Sequence, residues 1–127
     1  AAGTGKRVRE TIAGNISTPK TILMKSARDR DTNVAYNVAC NPNVPREALT
    51  ILAERRNIGI LVAVVRNKNT PEEALAKLAR NNNRNLRLLI AEHENTSRET
   101  LEFLLLKAVK EADQKLAETV RLALAKQ

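Results

Sequence analysis

Asn41-Pro42-Asn43-Val44-Pro45 recurs 26 residues on as Asn67-Lys68-Asn69-Thr70-Pro71. The same string stands earlier as Asn15-Ile16-Ser17-Thr18-Pro19 and later as His93-Glu94-Asn95-Thr96-Ser97. The starts at 15, 41, 67 and 93 are evenly stepped, and a fixed step of this length is the mark of a repeat architecture. Apolar positions follow in register: Leu23, Leu49, Leu75 and Leu101, then Ser26, Leu52, Leu78 and Leu104. Small residues come next at Ala27, Ala53 and Ala79, with Leu105 as the exception. A second apolar set stands at Val34, Ile60 and Leu86, and again at Val38, Val64 and Ile90.

Each unit reads as two short helices. In the third, Thr70 is expected to cap the first helix, with Pro71 at its first position and Glu73 at its third, the arrangement of a capping box. The second unit has Val44 at that cap, keeping Pro45 and Glu47 without the hydroxyl. The first helix is predicted over Pro71–Arg80, where Leu75, Leu78 and Ala79 form one stripe. The second is predicted over Asn85–Glu92, as α-helix or partly 3₁₀. Asn15, Asn41 and Asn67 follow it, where a left-handed residue is favoured and Asn is tolerated. Helices this short cannot bury their stripes alone, so units must stack. The expected fold is all-α, an α-solenoid of 26-residue two-helix repeats.

The expected organisation sets residues 1–6 apart as a flexible lead or a remnant of cloning, and takes 7–127 as one repeat domain. A half-unit, 7–14, opens it, because Val8-Arg9-Glu10-Thr11-Ile12-Ala13 aligns with Leu86–Ala91. Units 15–40, 41–66 and 67–92 follow. An extended capping unit, 93–127, closes it, with longer helices and a more charged outer face.

Composition narrows the function classes. Of 127 residues, one is Phe, one Tyr and none Trp, which suits stacked helices better than a β-sandwich. The single cysteine, Cys40, excludes an internal disulfide, a CxxC pair and an all-cysteine metal cage. No apolar run approaches the ~18–20 residues that cross a bilayer, so no membrane partner is expected and a cytoplasmic location is. The 22 basic and 14 acidic residues leave +8, all of it before residue 93. Charge of this size attracts anions without selecting nucleic acid, acidic protein or lipid.

The Asn-Pro-Asn-Val-Pro-x-Glu-x-Leu-x-x-Leu-Ala string of 41–53, with Leu86-Arg87-x-x-Ile90-Ala91, resembles the leucine-rich repeat variant family over residues 7–127. The resemblance implies a right-handed solenoid of alternating α and 3₁₀ helices, distantly similar to HEAT and armadillo arrays, and a role as an interaction scaffold. Some relatives carry a cysteine-rich cluster-binding module ahead of the repeats, which Cys40 alone cannot supply. The last unit departs from the pattern, with Ser97 in place of Pro and a longer spacing.

No catalytic, cofactor-binding or metal-binding residue is expected, and no enzyme activity. His93 stands where the other units have Asn and reads as a turn residue; with Glu92 and Glu94 it is too local for a metal. Cys40 reads as an inert thiol. Gly3-Thr4-Gly5-Lys6 lacks the upstream Gly of a phosphate loop, and Arg7 replaces its hydroxyl residue. The Glu72-Glu73 pair has no facing cleft. The Asn columns, 15/41/67 and 43/69/95, are expected to tie successive loops through backbone hydrogen bonds.

One pattern bears on a partner. Arg28 and Arg30, Arg55 and Arg56, and Arg80 and Arg84 fall in the links between paired helices, which the repeat places along one edge, interrupted by Asp29, Asp31 and Glu54. Guanidiniums suit bidentate grasp of phosphate or carboxylate. A solvated edge explains the pattern slightly better than a binding ridge, and no aromatic platform for single strands accompanies it. The expected function is a non-enzymatic scaffold for another protein. The alternative is binding of duplex backbone or another polyanion through the arginines.

Overall fold

A computed structural model describes residues 2–127, with side-chain environments from residue 5 onward. Among the described residues there are nine α-helices and no strand: α1 (Ala2–Gly14), α2 (Lys20–Ser26), α3 (Thr32–Cys40), α4 (Arg46–Leu52), α5 (Ile58–Arg66), α6 (Glu72–Leu78), α7 (Arg84–Glu92), α8 (Arg98–Lys110) and α9 (Gln114–Ala125). The short helices α2, α4 and α6 begin at 20, 46 and 72, and their partners α3, α5 and α7 at 32, 58 and 84. α1 takes in residues 2–6 of the expected lead, whose first residue, Ala1, lies outside the described residues.

The chain divides into two compact units, the first ending at Pro71 and the second running from Glu72 to Gln127. In the first, α3 packs between α1 and α5, with α2 and α4 against it and each other. In the second, α7 packs against α6, α8 and α9, and α8 lies along α9. The columns of apolar residues form the two cores. Leu23, Leu49, Val34, Val38, Ile60 and Val64 are buried in the first, and Leu75, Leu86, Ile90, Leu101 and Leu104 in the second. Each such side chain contributes roughly 1.5–3 kcal/mol by leaving water.

Three local expectations are corrected. The helices after the links are α, not the 3₁₀ that the resemblance implies, nine residues each in α3, α5 and α7. The first helix of the third unit is Glu72–Leu78, shorter than Pro71–Arg80, and its partner begins one residue earlier, at Arg84. The N-cap of α4 is Pro45, in extended conformation, and that of α2 is Pro19, so the proline sits outside the helix rather than at its first position. Thr70 lies two residues ahead of α6. Its hydroxyl donates backward to the Val64 carbonyl at 2.5 Å, as Thr96 donates to Ile90 at 2.6 Å. These threonines close the end of the helix before them, adding a second donor to a carbonyl that already accepts the cap amide of Asn67 or His93. The cap hydroxyl of the fourth unit comes one residue later, where Ser97 accepts from the Thr100 amide.

The last two helices are the longest pair, thirteen and twelve residues. Ala112, in the turn between them, holds the one positive φ of a non-glycine residue among the described residues, 55°. Their outer surface is less polar than expected, with Leu106, Val109 and Leu122 exposed at 73%, 60% and 65%.

The helical phase has a direct test. Leu75 is fully buried and Thr50 faces solvent. In urea denaturation, Leu75→Ala should cost about 2–5 kcal/mol and Thr50→Ala less than about 0.5 kcal/mol. Equal losses would place Leu75 outside the core.

Candidate functional site

The residues that follow α3 and α5 do not adopt the left-handed conformation expected of them. Asn41 and Asn67 are extended, with φ −73° and −75°, and their side chains do the work instead. Asn41 Oδ1 accepts the Asn43 amide at 2.9 Å, closing a turn two residues long. Its Nδ2 donates to Ala13 O and Asn15 O, both at 2.9 Å, one repeat back. Asn67 repeats the pattern, donating to Ala39 O at 3.1 Å and accepting from Asn69 at 2.9 Å. Asn43 and Asn69 add bonds to Ile16 O and Pro42 O. His93 takes the same place in the second unit, where its Nδ1 accepts the Asn95 amide at 3.0 Å.

The opposite ends of the helices meet at the links, and here a different residue plays the part. Arg55 Nη1 donates to Ala27 O at 3.2 Å and Asp29 O at 2.8 Å, again reaching one repeat back. Turns within the links close through Asp29, which accepts from Asp31 N, and Asn81, which accepts from Asn83 N. The second helix of each pair is then capped by Asp31, Asn57 or Asn83, accepting from Asn33, Ile60 and Leu86. These caps are a column in the sequence, Asp31/Asn57/Asn83, just ahead of each second apolar run. That column, Asp or Asn just ahead of an apolar run, carries the N-cap signal.

The six candidate arginines have unlike environments. In the first unit Arg55 is half-buried on the two carbonyls. Arg28, Arg30 and Arg56 are exposed. The acidic neighbours of Arg28 and Arg30 are taken up by α1: Arg9 Nε holds Asp29 at 2.8 Å and Lys6 holds Asp31 at 3.4 Å. Partial burial raises the Asp31 carboxyl pKa, but the Asn33 amide and Lys6 outweigh it, and the net shift is downward.

In the second unit Arg80 lies over the Phe103 ring, 5.1 Å from its centre. Arg84 makes a bidentate pair with Asp113, at 2.7 and 3.0 Å. Arg87, which the repeat pattern did not single out, is 4% exposed, and each of its three guanidinium nitrogens makes a hydrogen bond. It donates to Asn81 O, Asn82 O and Glu111 Oε2 at 3.1, 3.0 and 2.7 Å. Arg84 and Arg87 thus grip both ends of the Glu111-Ala112-Asp113 turn, beside an open hollow of about 530 Å³. The Arg87 hydrogen bond holds the Glu111 carboxyl below the usual range, and the Arg84 pair does the same for Asp113. A buried arginine was invisible in the repeat because Ala35 and Leu61 share its column.

Cys40 is an exposed thiol beside Tyr36, whose hydroxyl pKa is raised by its hydrogen bond to that sulfur. Glu72 accepts from the Thr100 hydroxyl at 3.2 Å, and Glu73 is exposed on the first turn of α6. Among the described residues no group of three or more His, Cys, Asp or Glu could hold a metal ion. No helix among them is long and apolar enough to cross a membrane. Comparison with known proteins finds no matching family model, no matching curated protein and no matching solved structure.

Two outcomes follow from these bonds. Asn41→Ala removes donors from two carbonyls at a site only 1% exposed, and buried groups left unsatisfied cost about 1–3 kcal/mol each. Chemical denaturation should show a loss of at least ~2 kcal/mol, with Asn43→Ala, at an exposed site, costing under ~0.5 kcal/mol. Acid acts on the arginine pairs. Because Glu111 and Asp113 have lowered folded pKa values, their stabilisation is present above their ordinary values, 4.5 and 3.8, and is lost as pH falls through the folded ones. Melting curves between about pH 5 and 2 should therefore drop less steeply for Arg84→Gln than for the parent. An unchanged slope would show that the Asp113 pair adds nothing to stability.

Proposed function

We propose that the chain is a non-enzymatic interaction scaffold, an α-solenoid of 26-residue two-helix units like those of the leucine-rich repeat variant family, working in the cytoplasm on a protein partner. The observation that carries this reading is how the polar repeat residues are used. Asn41, Asn67 and Arg55 each spend their donors on backbone carbonyls of the preceding repeat, as spacers between stacked units rather than as reactive groups. Helix starts that recur at 20, 46 and 72, and at 32, 58 and 84, support the same reading. A stacked array of this kind offers a long surface with side chains at repeated spacing, and partners lie along it.

A second reading, polyanion binding through the arginine edge, is favoured by the exposure of Arg28, Arg30 and Arg56 beside carboxylates already paired with α1. Capture from a native lysate separates the two. The scaffold reading expects a protein retained after nuclease treatment. Retention that disappears with nuclease would overturn it in favour of nucleic acid.

A further inference from the structure

We propose that Arg28, Arg30 and Arg56, on the link edge of the first unit, bind an acidic segment of a partner protein; this rests on the scaffold reading. The three arginines stand on two adjoining links. Arg55 grips the carbonyls of Ala27 and Asp29, the two residues that flank Arg28, and Arg56 is the next residue along. Arg30 and Arg56 occupy the same repeat position in adjacent links. All three are exposed, and neither a hydrogen bond nor an ion pair engages them among the described residues. Of the three carboxylates that interrupt this edge, Asp29 and Asp31 are held by Arg9 and Lys6 from α1, and the third, Glu54, is itself engaged. Cation and mount are therefore separate: Arg55 fixes the backbone, and its neighbours are left to meet a ligand. A mount fixed in advance lowers the ordering cost of binding.

The number of free cations selects the ligand class. Proteins that hold duplex DNA commonly neutralise ~6–10 phosphates, and three contacts would give a salt slope of only about −2.7. In the second unit the matching positions hold Arg80, which lies over the Phe103 ring, and Asn82. No ring lies on the edge for stacking a single strand, as Phe103 sits under Arg80 and Tyr36 is on α3. Carboxylates suit it better. Arginine takes them in bidentate pairs, and an extended acidic chain, rising ~3.3 Å per residue, presents several within a short span.

The test is fluorescence anisotropy with a labelled oligoglutamate peptide, a DNA duplex and a Gly-Ser peptide, at ~50 and ~200 mM salt. The protein variants are Arg28→Gln/Arg30→Gln/Arg56→Gln and, with the same loss of charge, Lys107→Gln/Lys110→Gln/Lys115→Gln. Circular dichroism checks that both keep the parent's helix content and melting temperature. The expected result is oligoglutamate binding, weaker at higher salt, that falls at least about tenfold in the arginine variant and less than about twofold in the lysine variant. Absence of oligoglutamate binding at the lower salt overturns the proposal. So does equal loss in the two variants, which marks general charge attraction. Duplex binding tighter than oligoglutamate, lost in the arginine variant, overturns it in favour of nucleic acid. If the native chain and the arginine variant capture the same nuclease-resistant protein equally well, the acidic-segment proposal fails and the scaffold reading is retained.

Discussion

A helix of seven or nine residues leaves most of its backbone ends unmet, because the first four amides and last four carbonyls have no partner within it. A chain made of such helices depends on where those carbonyls find donors. Here Asn41 reaches back to Ala13 and Asn15, Asn67 to Ala39, and Arg55 to Ala27 and Asp29. Each donor meets carbonyls at or just beyond the end of a helix one repeat earlier. The same bonds that satisfy the backbone therefore also set how the helices sit against one another within the first unit. Apolar columns supply most of the free energy, but they are smooth and would tolerate sliding. Directional hydrogen bonds of this kind do not.

That division of labour shapes the surface. Side chains that look alike along the repeat separate into those fixed on backbone or ring and those left in water. Arg55 and Arg56 are neighbours in sequence, yet one is half-buried on two carbonyls and the other is exposed. Arg84 and Arg87 are absorbed by the turn that ends α8, where Asp113 also caps α9. An exposed pair such as Arg84–Asp113 contributes little by itself. Arg87 differs because its burial makes every one of its bonds necessary.

The final helices show the same logic with different residues. The turn Glu111-Ala112-Asp113 needs a left-handed residue, which Ala adopts at some cost. Two arginines from α7 hold the turn from either side, and the Asp113 amide donates to Ala108 O at 2.8 Å. The longer α8 buries Leu101, Leu104 and Ala108 while leaving Leu106 and Val109 in solvent.

The all-helical content and the buried apolar positions were legible in the sequence. Leu23, Leu49, Leu75 and Leu101 are all buried, and burial of large apolar side chains writes itself as periodicity. The linking role of Asn41 and Asn67 was legible too, since Asn at a fixed step beside a turn has few other uses. Where the helix starts was less legible, because Thr-Pro-x-Glu does not itself say whether the proline stands inside or outside the first turn. Only the packed chain shows that Thr70 turns back to Val64, where a helix end lies within reach of its hydroxyl. Which arginines are free was likewise beyond the sequence. Every arginine carries the same charge, and its partner is set by distances across the fold, such as Asp113 coming to Arg84 or Asp29 to Arg9, which no local pattern records.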